Sequence, residues 1–219
     1  MQGEIKKFFE FYKLAEKLKT ELRHSWTSNS DRRESVAEHI WMTLLVALTL
    51  MDKVKKKVDK LRVLKMLIIH DLGEAIVGDI PSHEISQRQD AKPITESEGI
   101  REIVKNLSPE TSSEIIALWE EFEAKQTLEA KFAYALDKLE CLLQHDIADI
   151  KTWDEGDYRY TFVEKQDTPF DYDTFMRALK DTLDDWTFRK AEEAGVSDRI
   201  PSENLERYKS RRNLCSRQG

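Results

Sequence analysis

Apolar residues along this chain recur mostly every three or four positions, the spacing of one buried helix face. Phe8, Phe9, Phe11, Tyr12, Ala15, Leu18 and Leu22 keep that spacing over residues 4–22 and predict an N-terminal helix. The run RHSWTSNSDRR (residues 23–33) breaks it with small polar residues and predicts a loop. SVAE at 35–38 then has the form of a capping box, with Ser35 as N-cap and Glu38 reaching back. It opens a helix through His39, Trp41, Leu45, Leu48 and Leu50. Asp59 can cap the next helix, which runs to about His70 or Asp71. Residues 82–92 are polar and predict a loop, and Pro93 suits the first turn of a helix through Leu107. Ser108-Pro109 starts another helix, carrying Ile115, Ile116, Leu118, Trp119 and Phe122. Thr127 begins a long one with Phe132, Leu136, Leu139, Leu143, Ile147 and Ile150. An aromatic, irregular stretch follows, then a final long helix over about 172–194. No alternating run is long enough to build a sheet, so the expected fold is all-α. One domain is expected over residues 1–195, with residues 196–219 a polar, basic and partly disordered tail.

Composition agrees with long helices: only seven glycines and five prolines occur in 219 residues. A net charge of −7 argues against a nucleic acid partner, whose phosphate backbone needs a basic surface. It leaves a small phosphate ligand open, because one arginine or one metal ion overrides the global field locally. Cys141 and Cys215 form neither a metal spacing nor a disulfide framework, which fits a cytoplasmic setting. The N-terminus reads as an amphipathic helix rather than a signal peptide. No segment approaches the roughly 20 apolar residues of a membrane span.

The candidate chemistry lies in MLIIHDLGEAIVGDIP (residues 66–81), where an apolar run leads straight into His70, Asp71, Glu74 and Asp79. Buried carboxylates need partners: solvent, backbone donors, cations or a metal. His39 sits one turn into its capped helix, and Asp137 sits inside the apolar stretch FAYALDKLECLL. Asp137 is therefore either salt-bridged, for example to Lys138, or coordinating. Three helices could bring His39, His70 with Asp71, and Asp137 to one point. Two imidazoles and two carboxylates make an N/O site for a borderline divalent ion. A second His-Asp pair, His145-Asp146, has polar neighbours and reads as a solvated helix face.

H…HD…D, here His39, His70-Asp71 and Asp137, resembles the signature of HD-domain metal-dependent phosphohydrolases. ESVAEHIWMTLLV, IIHDLGEAIVGDIP and EAKFAYALDKLECLLQ are similar to the 5′-deoxynucleotidase branch, over about residues 8–150. That resemblance implies a helical bundle, commonly homodimeric, with one divalent metal between its helices; Mn, Co, Fe, Ni, Zn and Mg all remain open. It implies hydrolysis of (deoxy)ribonucleoside 5′-monophosphates to nucleoside and phosphate. His39, His70, Asp71 and Asp137 carry over as ligands, Glu74 and Asp79 as catalytic acids, and Arg23 and Trp26 as substrate contacts. Glu74 is assigned to the leaving-group side and Asp79 to the water side. Residues 66–81 carry no cation, and only Arg32, Arg33 and Lys138 lie near other ligands in sequence, which favours a monophosphate over a triphosphate. Another HD phosphohydrolase, a non-catalytic nucleotide-binding module and a purely structural helical protein remain as alternatives.

Overall fold

The structure, a computed structural model, describes residues 2–215. It is built from α1 (Gln2–Ala15), β1 (Leu22–Trp26), β2 (Arg33–Ser35), α2 (Val36–Leu50), α3 (Lys60–Ile69) and α4 (Glu74–Val77). α5 (Gln87–Val104), α6 (Pro109–Ala124), α7 (Leu128–Ile147), α8 (Glu155–Tyr160), α9 (Glu164–Asp167), α10 (Thr174–Glu193) and α11 (Ser202–Cys215) follow. Four helices begin where the capping chemistry places them. The side chains of Ser35, Asp59, Ser108 and Thr127 each accept the backbone N–H three residues on, and Glu38 completes the box at Ser35. Each such cap contributes about 1 kcal/mol.

α7 runs through the middle. Phe132, Ala133, Ala135, Leu136 and Leu139 are buried along it, and α2, α3, α6 and α10 pack around it. Val36, Met66, Leu67, Leu118 and Phe122 from those neighbours close the main core. Because α7 is apolar on most of its circumference, the polar groups it buries have to be satisfied by other helices.

The observed elements differ from the expected ones in four places. The first helix ends at Ala15, passes through a 3₁₀ turn at Glu16–Lys19, and gives way to an antiparallel β1–β2 hairpin across the segment expected as a loop. α5 starts at Gln87 and not at Pro93, because Ser86 accepts the Gln89 N–H at 3.2 Å. Its buried residues, Gly99, Ile100, Ile103 and Val104, all lie in its second half, so the first half shows no apolar period. α4 and α5 cross in close contact: a Cβ on Gly99 would stand 2.8 Å from the Gly73 carbonyl oxygen. Residues 151–173, expected as irregular, hold α8, α9 and 3₁₀ turns around a second apolar cluster of Trp153, Tyr158, Phe162, Ala191 and Ile200. Finally, much of the segment expected as a tail is helix α11. Tyr208 stacks on Phe162 at 4.8 Å and donates to Asp185, and Arg211 pairs with Asp167 and Asp181. Residues 216–219 of that segment lie outside the described residues.

Candidate metal centre

His39 comes from the first turns of α2, His70 from the C-terminal end of α3 with Asp71 just beyond it, and Asp137 from the middle of α7. The four meet. His39 Nε2 and His70 Nε2 are 3.3 Å apart. Asp71 Oδ2 is 3.2 Å from His70 Nε2 and 3.7 Å from His39 Nε2. Asp137 Oδ1 is 3.3 Å from His39 Nε2 and 3.9 Å from His70 Nε2. Donors sharing one ion at bonds of about 2.0–2.2 Å stand roughly 3–3.5 Å from their neighbours, so the spacing suits a common ion.

The proton positions support the same fit. His70 Nδ1 donates to the Leu67 carbonyl at 2.8 Å, and a carbonyl can only accept, so the Nε2 of a neutral His70 presents a lone pair. His39 Nδ1 bonds the buried carboxylate of Glu140, which sets His39 in the same orientation. Two inward-facing nitrogens at this separation require a cation between them, either a proton or a metal. Burial and Arg23 push the His39 pKa down, but Glu140 and Asp137 outweigh them and hold it at about 9. Both carboxylates stay ionised. Burial raises Asp71, but His70, Arg23 and His39 hold it below the usual range. Burial also raises Asp137, but Lys138, His39 and His70 hold it well below that range. The salt bridge open to Asp137 from the sequence also exists: Lys138 Nζ is 3.1 Å from Oδ2 while Oδ1 faces the imidazoles.

Beside this centre opens a cavity. Arg23, Glu74 and Asp79 line it. Arg23 Nη1 donates to Asp71 Oδ2 at 3.0 Å and stands 3.8 Å from Asp79 Oδ1, while its Nη2 contacts Cys141 Sγ. Glu74, at the start of α4, is 2% exposed, and its Oε2 has no hydrogen-bond partner among the described residues. Burial, Asp71 and Asp79 raise its pKa well above the usual carboxyl range against Arg23 and Lys92.

Trp26 is placed elsewhere. It does not line the cavity, and the Arg33 guanidinium lies 4.6 Å over its ring. The segment expected as a loop is an irregular strand, in which Arg23, His24 and Ser25 line the cavity and Trp26 does not. Arg32 pairs with Glu38 at the surface, so neither it nor Arg33 reaches the cavity. The cavity's cations are instead Arg23, Lys92, Lys138 and Lys165. His145-Asp146 is not a solvated pair. His145 lines the cavity, and Asp146, 8% exposed, accepts from the Thr187 hydroxyl at 2.7 Å.

Several contributors escaped sequence reasoning. Glu140 carried a usable signal, an acid inside an apolar stretch one turn beyond Asp137. Glu34, 3% exposed and 3.9 Å from Arg23 Nε, carried none, nor did Lys92, 3.9 Å from Glu74 Oε1. Trp153, Tyr160 and Phe162 complete the cavity wall from the last third of the chain.

The HD domain family model matches residues 15–178. The chain is 35% identical over 144 residues to 5′-deoxynucleotidase HDDC2 of Dictyostelium discoideum, which covers 63% of this chain and 75% of that protein. It is 34% identical over 137 residues to the human protein of that name, covering 62% of this chain and 65% of the human one. A crystal structure from Magnetospirillum magnetotacticum, described as a "Predicted metal-dependent phosphohydrolase", superposes with a TM-score of 0.76 at 30% identity, covering 86% of this chain and 95% of that one.

Proposed function

This chain belongs to the HD domain family, and from that premise we propose that it is a metal-dependent phosphomonoesterase acting on (deoxy)ribonucleoside 5′-monophosphates, a reading supported by its likeness to proteins named 5′-deoxynucleotidase. The observation that carries the reading is the gathering of His39, His70, Asp71 and Asp137 beside a cavity that also presents Arg23 and Glu74, whose Oε2 has no hydrogen-bond partner among the described residues. These four side chains would hold one divalent ion at this centre, and their mixed imidazole and carboxylate donors suit Mn, Co, Fe, Ni, Zn or Mg. Such an ion supplies positive charge against the phosphate dianion and makes nearby water more acidic.

The remaining work falls to the chain's own groups. Arg23 offers its guanidinium to phosphate oxygens from the cavity wall. Glu74, kept protonated by burial among acids, is suited to give its proton to the departing 5′-oxygen as the phosphorus–oxygen bond breaks. Asp79, within 3.8 Å of Arg23, is suited to orient the attacking water and take its proton. Three of the four cavity cations, Arg23, Lys92 and Lys138, already face carboxylates, which leaves Lys165 for a further phosphate. That favours a monophosphate.

We read the chain as cytoplasmic from its scarce cysteines, which form no disulfide framework; no helix among the described residues is long and apolar enough to cross a membrane. We read it as a homodimer, since Trp41, Leu45 and Leu48 expose one apolar face of α2. The test is phosphate release from ribo- and deoxyribonucleoside mono-, di- and triphosphates with each candidate metal. Turnover confined to 5′-monophosphates is expected. Preference for triphosphates, or for diesters with no monoester activity, would overturn the substrate assignment.

A further inference from the structure

The chain has five histidines, and the three outside the centre described above also gather at one place. His24 on β1, His83 in the segment after α4 and His145 on α7 surround Asp157 of α8. His24 Nε2 stands 3.1 Å from each Asp157 carboxylate oxygen and 3.8 Å from Asp154 Oδ2. The His24 and His83 rings meet edge to face with centroids 4.4 Å apart. One donor atom each from His24, His83, Asp154 and Asp157 falls within 4.8 Å of all the others. His145 Nδ1 lies 3.8 Å from Asp157 Oδ1. We propose that His24, His83, Asp154 and Asp157 form a second binding site for a divalent transition metal, with His145 beside it.

The surroundings are built to hold these side chains. Asp157 Oδ2 accepts the Asp154 N–H at 2.9 Å, and Asp154 Oδ1 accepts the N–H groups of Gly156 and Asp157 at 2.7 and 3.1 Å. This leaves Asp154 Oδ2 and Asp157 Oδ1 for the imidazole side, the orienting arrangement that ligating carboxylates need. Gly156 admits His83: a Cβ there would lie 2.4 Å from His83 Cδ2 and 2.8 Å from Nε2. A plain His24–Asp157 ion pair accounts for one imidazole. It does not account for two more packed against the same carboxylate. The donor set is mixed N/O with two or three imidazoles, which suits zinc or cobalt better than magnesium or calcium. An ion here would clasp β1, the segment after α4 and the start of α8, tying the last third of the chain to the bundle beside Arg23.

The test avoids activity and removes the first centre. The double variant His70→Ala/Asp71→Ala is stripped with chelator, reloaded with Zn²⁺ or Co²⁺ and freed of excess, and bound metal is counted by elemental analysis. One equivalent per chain should remain, and adding His83→Ala or Asp157→Asn should lower it at least tenfold. No retained ion in the double variant, or an ion indifferent to both added changes, overturns the proposal. If the double variant does not fold, wild-type crystals soaked in Co²⁺ decide: an anomalous peak between His24 and His83 supports the site, and its absence refutes it. Gly156→Ala, which displaces His83, should erase that peak.

Discussion

Glu140→Gln isolates the group that aims His39. Glu140 is 2% exposed, and its Oε2 bonds His39 Nδ1. Glutamine keeps the shape and an oxygen acceptor but removes the charge that strengthens the imidazole as a donor. Losing such a partner typically weakens metal binding about 10–100-fold, or roughly 1.4–2.7 kcal/mol. The complete burial of this pair keeps water from substituting, which places the expected loss in the upper half of that range. Glu140→Ala should be worse by roughly 1–3 kcal/mol, since it leaves the Nδ1–H unpaired in the interior. The assay is competition between the protein and a chromophoric chelator for Co²⁺ or Mn²⁺, followed by kcat at saturating metal. The expected result is a weaker Kd with kcat largely restored once metal saturates. A Glu140→Gln protein that binds metal within twofold of wild type would refute the orienting role. One whose activity saturating metal cannot restore would show that Glu140 does more than orient.

Two further outcomes follow from neighbouring groups. Glu74→Gln and Asp79→Asn should each retain metal by elemental analysis yet lose about 10²–10⁴ in kcat, the usual worth of acid–base assistance; loss of the ion from either would make that acid a ligand. Asp146→Asn should stabilise the fold at neutral pH. Burial raises the Asp146 carboxyl from 3.8 to about 6, against Thr187 and Lys190, so folding favours the protonated form. Its contribution is intact below pH 3.8 and is lost as pH rises through 6, a penalty of about 3 kcal/mol at pH 8 that the amide avoids. Urea melts at pH 8 and pH 4 should therefore show a gain at the first and little at the second; an equal effect at both would refute it.

What the sequence revealed was whatever local chemistry encodes. Ser35 with Glu38, Asp59, Ser108 and Thr127 announce helix starts through bonds spanning three residues, and the starts fall there. His39, His70, Asp71 and Asp137 stood out because each is a polar group in or beside an apolar helical run. What stayed hidden depends on distant partners. The β1–β2 hairpin has few apolar residues, and its strands are read as a loop until paired. The first turns of α5 carry Lys92 to Glu74 on a segment with no apolar period. Trp26 was expected as a cavity wall from the resemblance, and its ring instead lies under the Arg33 guanidinium from the paired strand. His145 and Asp146 look solvated on α7 alone. They are covered by residues from α8 and α10, a long-range contact that no short window of sequence contains.

The most direct test of the central claim compares wild type with Asp71→Ala in one experiment. Both proteins are stripped of metal, assayed for phosphate release from a deoxyribonucleoside 5′-monophosphate, and assayed again after a divalent transition metal is restored. Wild type should be silent without metal and regain turnover with it, while Asp71→Ala stays silent in both states. Full turnover by metal-free wild type, or recovery of Asp71→Ala to wild-type rates, would contradict the assignment of His39, His70, Asp71 and Asp137 as the metal-holding centre of the enzyme.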